Sequence, residues 1–165
     1  MKSRLFILYI LCFLPILVGQ KKVPNLTLKK MSSEKVMLQH YLKTGPVLIN
    51  FWATWCAPCK KEMKHLDAFE KKYKDKGFSV LAVSNDSQKS LSKVRSYIRA
   101  NKFSFQVFLD PNNQVLKKLF SNAMPVLPAN ILVGQDGTVL WRHFGYIPGD
   151  EKKMEAEIIA ALQPE

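Results

Sequence analysis

The chain has 165 residues, 47% of them apolar and 23% charged, which suits one domain with a real core rather than several. That composition excludes a collagen-like or coiled-coil rod and a long disordered chain. The net charge of +12 comes largely from scattered lysines with no nucleic-acid-binding motif beside them. It therefore reads as a solvated basic surface, suited at most to anionic lipid headgroups or an acidic protein partner.

The first segment, "MKSRLFILYILCFLPILVGQKK", carries Lys2 and Arg4, then an apolar run from Leu5 to Val18, then polar residues. This is the layout of an export signal, shorter than the span of about 20 residues a membrane helix needs. Leu17 and Gly19 make a poor cleavage site, so residues 1–20 are read as a signal peptide or an uncleaved N-terminal signal anchor. Cys12 lies inside the run without a small residue before it, which argues against a lipoprotein cysteine. An exported chain sits where disulfide chemistry is permitted. Residues 21–165 are expected to form the folded domain.

Within it, "NLTL" and "KVML" read as two short strands, followed by a turn of helix at "QHYLKTGP". Pro46 opens "VLINFW", an almost wholly apolar run of the kind a strand covered on both faces shows. From Cys56 to about Lys74 the pattern is helical. Cys59, Met63, Leu66, Phe69 or Glu70, and Tyr73 share one face, with lysines and acids opposite. Lys71, Lys72, Lys74 and Lys76 suit the negative end of that helix. Gly77 ends it, and "FSVLAVS" is the next strand. Leu91, Val94 and Ile98 mark a second helix, "FQVFLD" a strand, and Val115, Leu116, Leu119 and Phe120 a short helix. "ANILVGQDGTVLWRHFG" is a hairpin turning at Asp136-Gly137, and Met154, Ile158, Ala161 and Leu162 belong to a closing helix. Such alternation predicts an α/β domain with a central mixed β-sheet flanked by helices on both faces.

The chemistry concentrates in "NFWATWCAPCKKEM". A helix starting near Cys56 places that thiol at an N-terminus, where free N–H groups and the dipole lower a thiol from about 8.5 towards about 7 or below. Cys59, one turn later, falls on the apolar stripe and should be shielded. Cys56 is thus the expected nucleophile and Cys59 the resolving thiol. Pro58 stiffens the loop between them at a position where its missing N–H is harmless. Zinc would need four ligands, and His40, His65 and His143 have no paired spacing. A purely structural disulfide across so short a loop would remove little chain entropy. Two thiols with two residues between them, opening a helix after a buried strand, read as a redox pair.

"FWATWCAPCKKEM" resembles the thioredoxin superfamily, and most closely its TlpA/ResA-like branch of exported thiol–disulfide oxidoreductases. The resemblance runs from about Val23 to Leu162. It implies a thioredoxin-like fold with an inserted strand–helix segment, and Cys56 and Cys59 as the redox-active disulfide pair. "VLPANIL" resembles the family's cis-proline loop, which puts the cis-proline at Pro128. Where thioredoxin has a buried aspartate this chain has Asn50, which cannot take the Cys59 proton. Glu62 is the candidate for that work, against the plainer reading of a solvated helix-surface acid. The family's kinking proline falls at Lys64, and the residue after the cis-proline is Ala129.

Trp55, Ala57, Pro58 and Leu127 are the expected substrate contacts around Cys56. Phe51 and Trp52 read as core, Trp141 as packing and His143 as structural. The function expected is extracytoplasmic disulfide exchange, reducing protein disulfides through a mixed disulfide at Cys56. The branch implies cytochrome c maturation as the pathway and a membrane thiol reductant as electron donor; no cofactor, metal or nucleic acid is called for. Two rivals stand beside it. A peroxiredoxin-like peroxidase would need a threonine three residues before the cysteine, where this chain has Ala53. A copper-binding assembly protein would use the two thiols and a histidine.

Overall fold

The computed structural model describes residues 21–163, so the expectations for residues 1–20 lie outside the described residues. Seven strands form one sheet: β1 (Thr27–Lys30), β2 (Lys35–Met37), β3 (Val47–Trp52), β4 (Ser79–Ser84), β5 (Gln106–Leu109), β6 (Ala129–Val133) and β7 (Val139–Phe144). Five α-helices join them: α1 (Leu38–Leu42), α2 (Ala57–Tyr73), α3 (Leu91–Asn101), α4 (Gln114–Leu119) and α5 (Asp150–Ala161). The strand order is β2-β1-β5-β4-β3-β6-β7. The β3–β4 and β4–β5 pairs are parallel, and β1–β2, β1–β5, β3–β6 and β6–β7 are antiparallel. The sheet is mixed, as the alternation of elements predicts. Among the described residues no helix is long and apolar enough to cross a membrane.

The centre of the sheet follows from "VLINFW". All six residues of β3 are buried, and alternate side chains face opposite layers. Leu48 and Trp52 enter one core with Met63, Leu66 and Phe69 of α2, Val94 of α3, and Met154 and Ile158 of α5. Val47, Ile49 and Phe51 enter the other, with Leu38 and Leu42 of α1 and Val115, Leu116 and Leu119 of α4. Helices thus cover both faces. Between β4 and β6 the chain carries α3, β5 and α4.

Two local devices fix the two ends of α2. Gly77, at φ +92°, closes the turn after α2, and a Cβ there would run into the Thr44 carbonyl oxygen. At the far end of α2, Cys56 is the N-cap residue, with proline in the first turn. Parallel pairing of β3 with β4 then delivers the chain to one end of the sheet, where α2 begins.

Candidate active site

Residues 53–56 turn from β3 into α2 and are held from the end of β4. Asp86, only 1% exposed, accepts the Thr54 N–H at 2.8 Å and the Thr54 hydroxyl at 2.6 Å. It also accepts the Ser84 hydroxyl at 3.0 Å. The Cys56 N–H donates to Ala53 O at 3.1 Å. This fixes Cys56 at the positive end of a 17-residue helix.

Cys56 and Cys59 are joined in a disulfide, with Cα atoms 5.3 Å apart. The Cys59 N–H donates to Cys56 Sγ at 3.2 Å. Cys59 is fully buried, in line with the expected shielding, but Cys56 is only 5% exposed, less open than the sequence suggests. Its side chain belongs to the core of the α2 face, with Trp52, Ala53, Cys59 and Met63. Trp55 beside it is 71% exposed. Ala57 is exposed and Pro58 half-buried.

Glu62 departs most from a plain helical reading. It lies on the buried side of α2, with no exposed area, so the reading as a solvated surface acid is overturned. At i+3 from Cys59 its Cβ is a neighbour at about 5–6 Å. One carboxyl oxygen accepts from Asn50 Nδ2 at 2.8 Å and the other from Asn130 Nδ2 at 2.9 Å. Asn50 Nδ2 also donates to Asn130 Oδ1 at 2.9 Å. Burial raises the Glu62 carboxyl to about 8, prevailing over the two amide donors, which pull it down. Through neutral pH, then, Glu62 behind the disulfide holds a proton.

The Leu127-Pro128 peptide is cis. Phe51 pairs with Ala129, which puts Pro128, buried, at the end of the sheet where α2 starts. Leu127, half-buried, lines a groove of about 360 Å³ with Trp55, Asn85, Leu116, Met124 and Val126. Met124 and Val126 are 59% and 72% exposed. The redox pair, Glu62, Pro128, Trp55 and Leu127 thus gather at one end of the sheet. Asn130 and Asp86 escaped the sequence reading. Asn130 gives no local signal, since only the pairing of β6 with β3 sets it opposite Asn50. Asp86 has no such signal either.

A dithiol pair at the first turn of a helix, after the central strand of a mixed sheet covered on both faces, defines a thioredoxin-fold enzyme of thiol–disulfide exchange. The chain belongs to the AhpC/TSA family, which matches residues 19–142. It is 30% identical to the thiol-disulfide oxidoreductase ResA of Bacillus thuringiensis subsp. konkukian over 137 residues, 83% of this chain and 73% of that one. With the thioredoxin-like protein YneN of Bacillus subtilis it shares 32% identity over 141 residues, covering 84% and 77%. Its fold matches a Chlorobium tepidum protein assigned as thiol:disulfide interchange protein DsbE, with a TM-score of 0.78 at 30% identity over 87% and 97% of the two chains. The TlpA/ResA-like resemblance, the thioredoxin-like fold and the oxidoreductase activity it implied are therefore established, with protein disulfides as the general class of substrate.

Proposed function

We propose that the chain is an extracytoplasmic reductase of protein disulfides in which Cys56 attacks, Cys59 resolves and Glu62 handles the Cys59 proton. The observation that carries this is the buried Glu62 one turn behind Cys59, tied to Asn50 and Asn130. In the reducing direction the Cys56 thiolate attacks a substrate sulfur and forms a mixed disulfide. Cys59 passes its proton to the Glu62 carboxylate, attacks Cys56 Sγ and frees the substrate dithiol. In the reverse half of the cycle a donor thiolate opens the Cys56–Cys59 bond, and Cys59 takes up a proton by way of Glu62.

Substrate docks on the surface formed by Trp55, Ala57 and Pro58, with Leu127 and Pro128 facing them, and the apolar groove beside Trp55 takes the neighbouring part of its chain. The apolar leader supports an exported domain, residues 21–165, either freed from residues 1–20 or anchored by them. A membrane thiol reductant would then supply electrons, and assembly of cytochrome c is the favoured pathway, on the strength of the TlpA/ResA-like resemblance. Of the rival readings, peroxide reduction lacks the hydroxyl it needs, since position 53 is a fully buried alanine and the Thr54 hydroxyl is spent on Asp86. Copper assembly needs a third ligand, and among the described residues no group of three His, Cys, Asp or Glu side chains is arranged for one.

Trapping tests the assignment. Cys59→Ser removes the resolving attack and leaves the helix N-terminus in place, so this variant should accumulate Cys56-linked complexes on non-reducing gels of exported protein, dissolved by reductant. Cys56→Ser should trap almost nothing. Equal trapping by both variants would overturn the roles given to the two cysteines. Cytochrome-assembly proteins among the trapped species would support the pathway, and a broad set would replace it with general disulfide reduction.

A further inference from the structure

Three polar side chains stand in a row on the α2 face of the sheet. Asn50 of β3 lies opposite Asn130 of β6, and Asn130 opposite His143 of β7; directly opposed residues share a face with Cβ atoms about 5 Å apart. The row starts beneath Glu62, which the two asparagines bind. It ends at His143, whose side chain keeps 27% of its exposure. Sequence reading takes His143 as structural, but its surroundings are those of an oriented base.

His143 Nε2 lies 3.0 Å from Asp150 Oδ2, and the same oxygen accepts the Ile147 N–H at 2.9 Å. The Ile147 N–H first, and His143 with it, hold the Asp150 carboxyl below its ordinary range. An ionised carboxylate only accepts, so Nε2 carries the hydrogen and Nδ1 is the ring nitrogen left over for another partner. Trp141 stacks on the imidazole at 5.4 Å with planes 8° apart, which fixes the ring further. The Asp150 charge also reaches Glu62, adding to the upward push of burial. The other titratable groups at this corner are Tyr146, which donates to Glu151, and His65 of α2, 6.0 Å from the Tyr146 ring.

Glu62 is sealed from solvent, and every turnover changes its proton. Imidazole is the side chain suited to gaining and losing protons between about pH 5 and 8. We infer that His143, oriented by Asp150, is the positioning residue through which Glu62 exchanges the Cys59 proton with solvent. This rests on the proton-handling role of Glu62 given above. As a substrate disulfide is reduced, the Cys59 S–H bond breaks; the proton passes to the Glu62 carboxylate and the electron pair stays on sulfur. Cys59 then forms its bond to Cys56 Sγ, and the mixed disulfide breaks with its electron pair leaving on the substrate sulfur. Two electrons have moved from the dithiol to the substrate. Glu62 then gives this proton up to the His143 imidazole, held on Asp150, which passes it to bulk water.

The test is single-turnover oxidation of the reduced full-length chain by oxidised glutathione between about pH 5 and 9. It compares the unaltered protein with Glu62→Gln, His143→Gln and the double variant. His143→Gln should slow closure of the Cys56–Cys59 bond about tenfold at neutral pH, a modest share of what acid–base groups supply, and remove one limb of the pH profile. Free imidazole in the buffer should restore the rate, and the double variant should be no slower than Glu62→Gln alone. An unchanged profile for His143→Gln beside a slowed Glu62→Gln would overturn the relay and leave the Glu62 role intact. An unaffected Glu62→Gln would overturn the Glu62 role and the relay with it. Multiplying losses in the double variant would put His143 on a separate route and also overturn the proposal. Asp150→Asn carries the same test if His143→Gln does not fold, and should lose the same limb by a smaller factor.

Discussion

The two faces of this sheet are built from the same strands to different ends. On the α1/α4 face, Val47, Ile49 and Phe51 of β3 meet Ala129, Ile131 and Val133 of β6 in an unbroken apolar layer. On the α2 face, Leu48 and Trp52 flank Asn50, and Leu132 neighbours Asn130, with Glu62 pressed into the gap. Burying a carboxyl and two amides is unfavourable unless they satisfy one another, and here they largely do. One face is a scaffold; the other spends some of the same burial on chemistry.

Swapping the properties of the two faces would break this contrast most sharply. Cys56→Ser should eliminate disulfide exchange, while the reduced variant keeps the stability of the reduced parent to within about 1 kcal/mol. Ile49→Ala, one residue from Asn50 but on the other face, should do the reverse. Its fully buried side chain leaves a cavity, with a loss of roughly 2–5 kcal/mol, yet the folded fraction should turn over normally. Urea denaturation and single-turnover rates separate the two; reduced turnover per folded Ile49→Ala molecule would show that the faces are not independent.

The Glu62 proton gives a smaller effect with a definite sign. Its carboxyl rises from 4.5 to about 8 in the folded chain, chiefly by burial, so between those values the native state binds a proton that the unfolded state has lost. Stability is therefore fully present below about pH 4.5 and falls as pH rises towards 8. Glu62→Gln cannot ionise and should flatten that slope, by an amount on the order of a few kcal/mol. Parallel stability–pH curves for parent and variant would place the carboxyl in its ordinary range.

Least in energy is Trp55, 71% exposed. Trp55→Ala should change stability by no more than about 0.5 kcal/mol. It should raise KM for a protein disulfide several-fold and leave oxidised glutathione unaffected. Equal effects on both substrates would mean that Trp55 acts on the cysteines rather than on docking.

Local pattern carried much of this. The apolar run of β3, the helical stripe from Cys59 to Tyr73 and the Asp136-Gly137 turn each predict their own element, because strand and helix periods are written in neighbouring residues. The polar network was illegible for the opposite reason. Glu62 borders the stripe, and a period of 3.6 cannot decide which side of the border is buried. Its partners lie 12 and 68 residues away, and only the β3–β6 register brings Asn130 beside Asn50. His143 and Asp150 meet through a corner that no period describes. Even Cys56, rightly placed at a helix start, is less open than expected, because it joins the core of the α2 face, which its neighbours in sequence do not reveal.

The central claim is asymmetry, with a reactive thiol at the helix start and a shielded one behind it. Alkylation of the reduced full-length chain across pH, with each cysteine followed by peptide mass, tests it directly. Cys56 should react at a pH well below the 8.5 or so of a free thiol, and Cys59 should remain almost unmodified throughout. Equal rates at the two cysteines, both rising near a free thiol's pKa, would contradict the account.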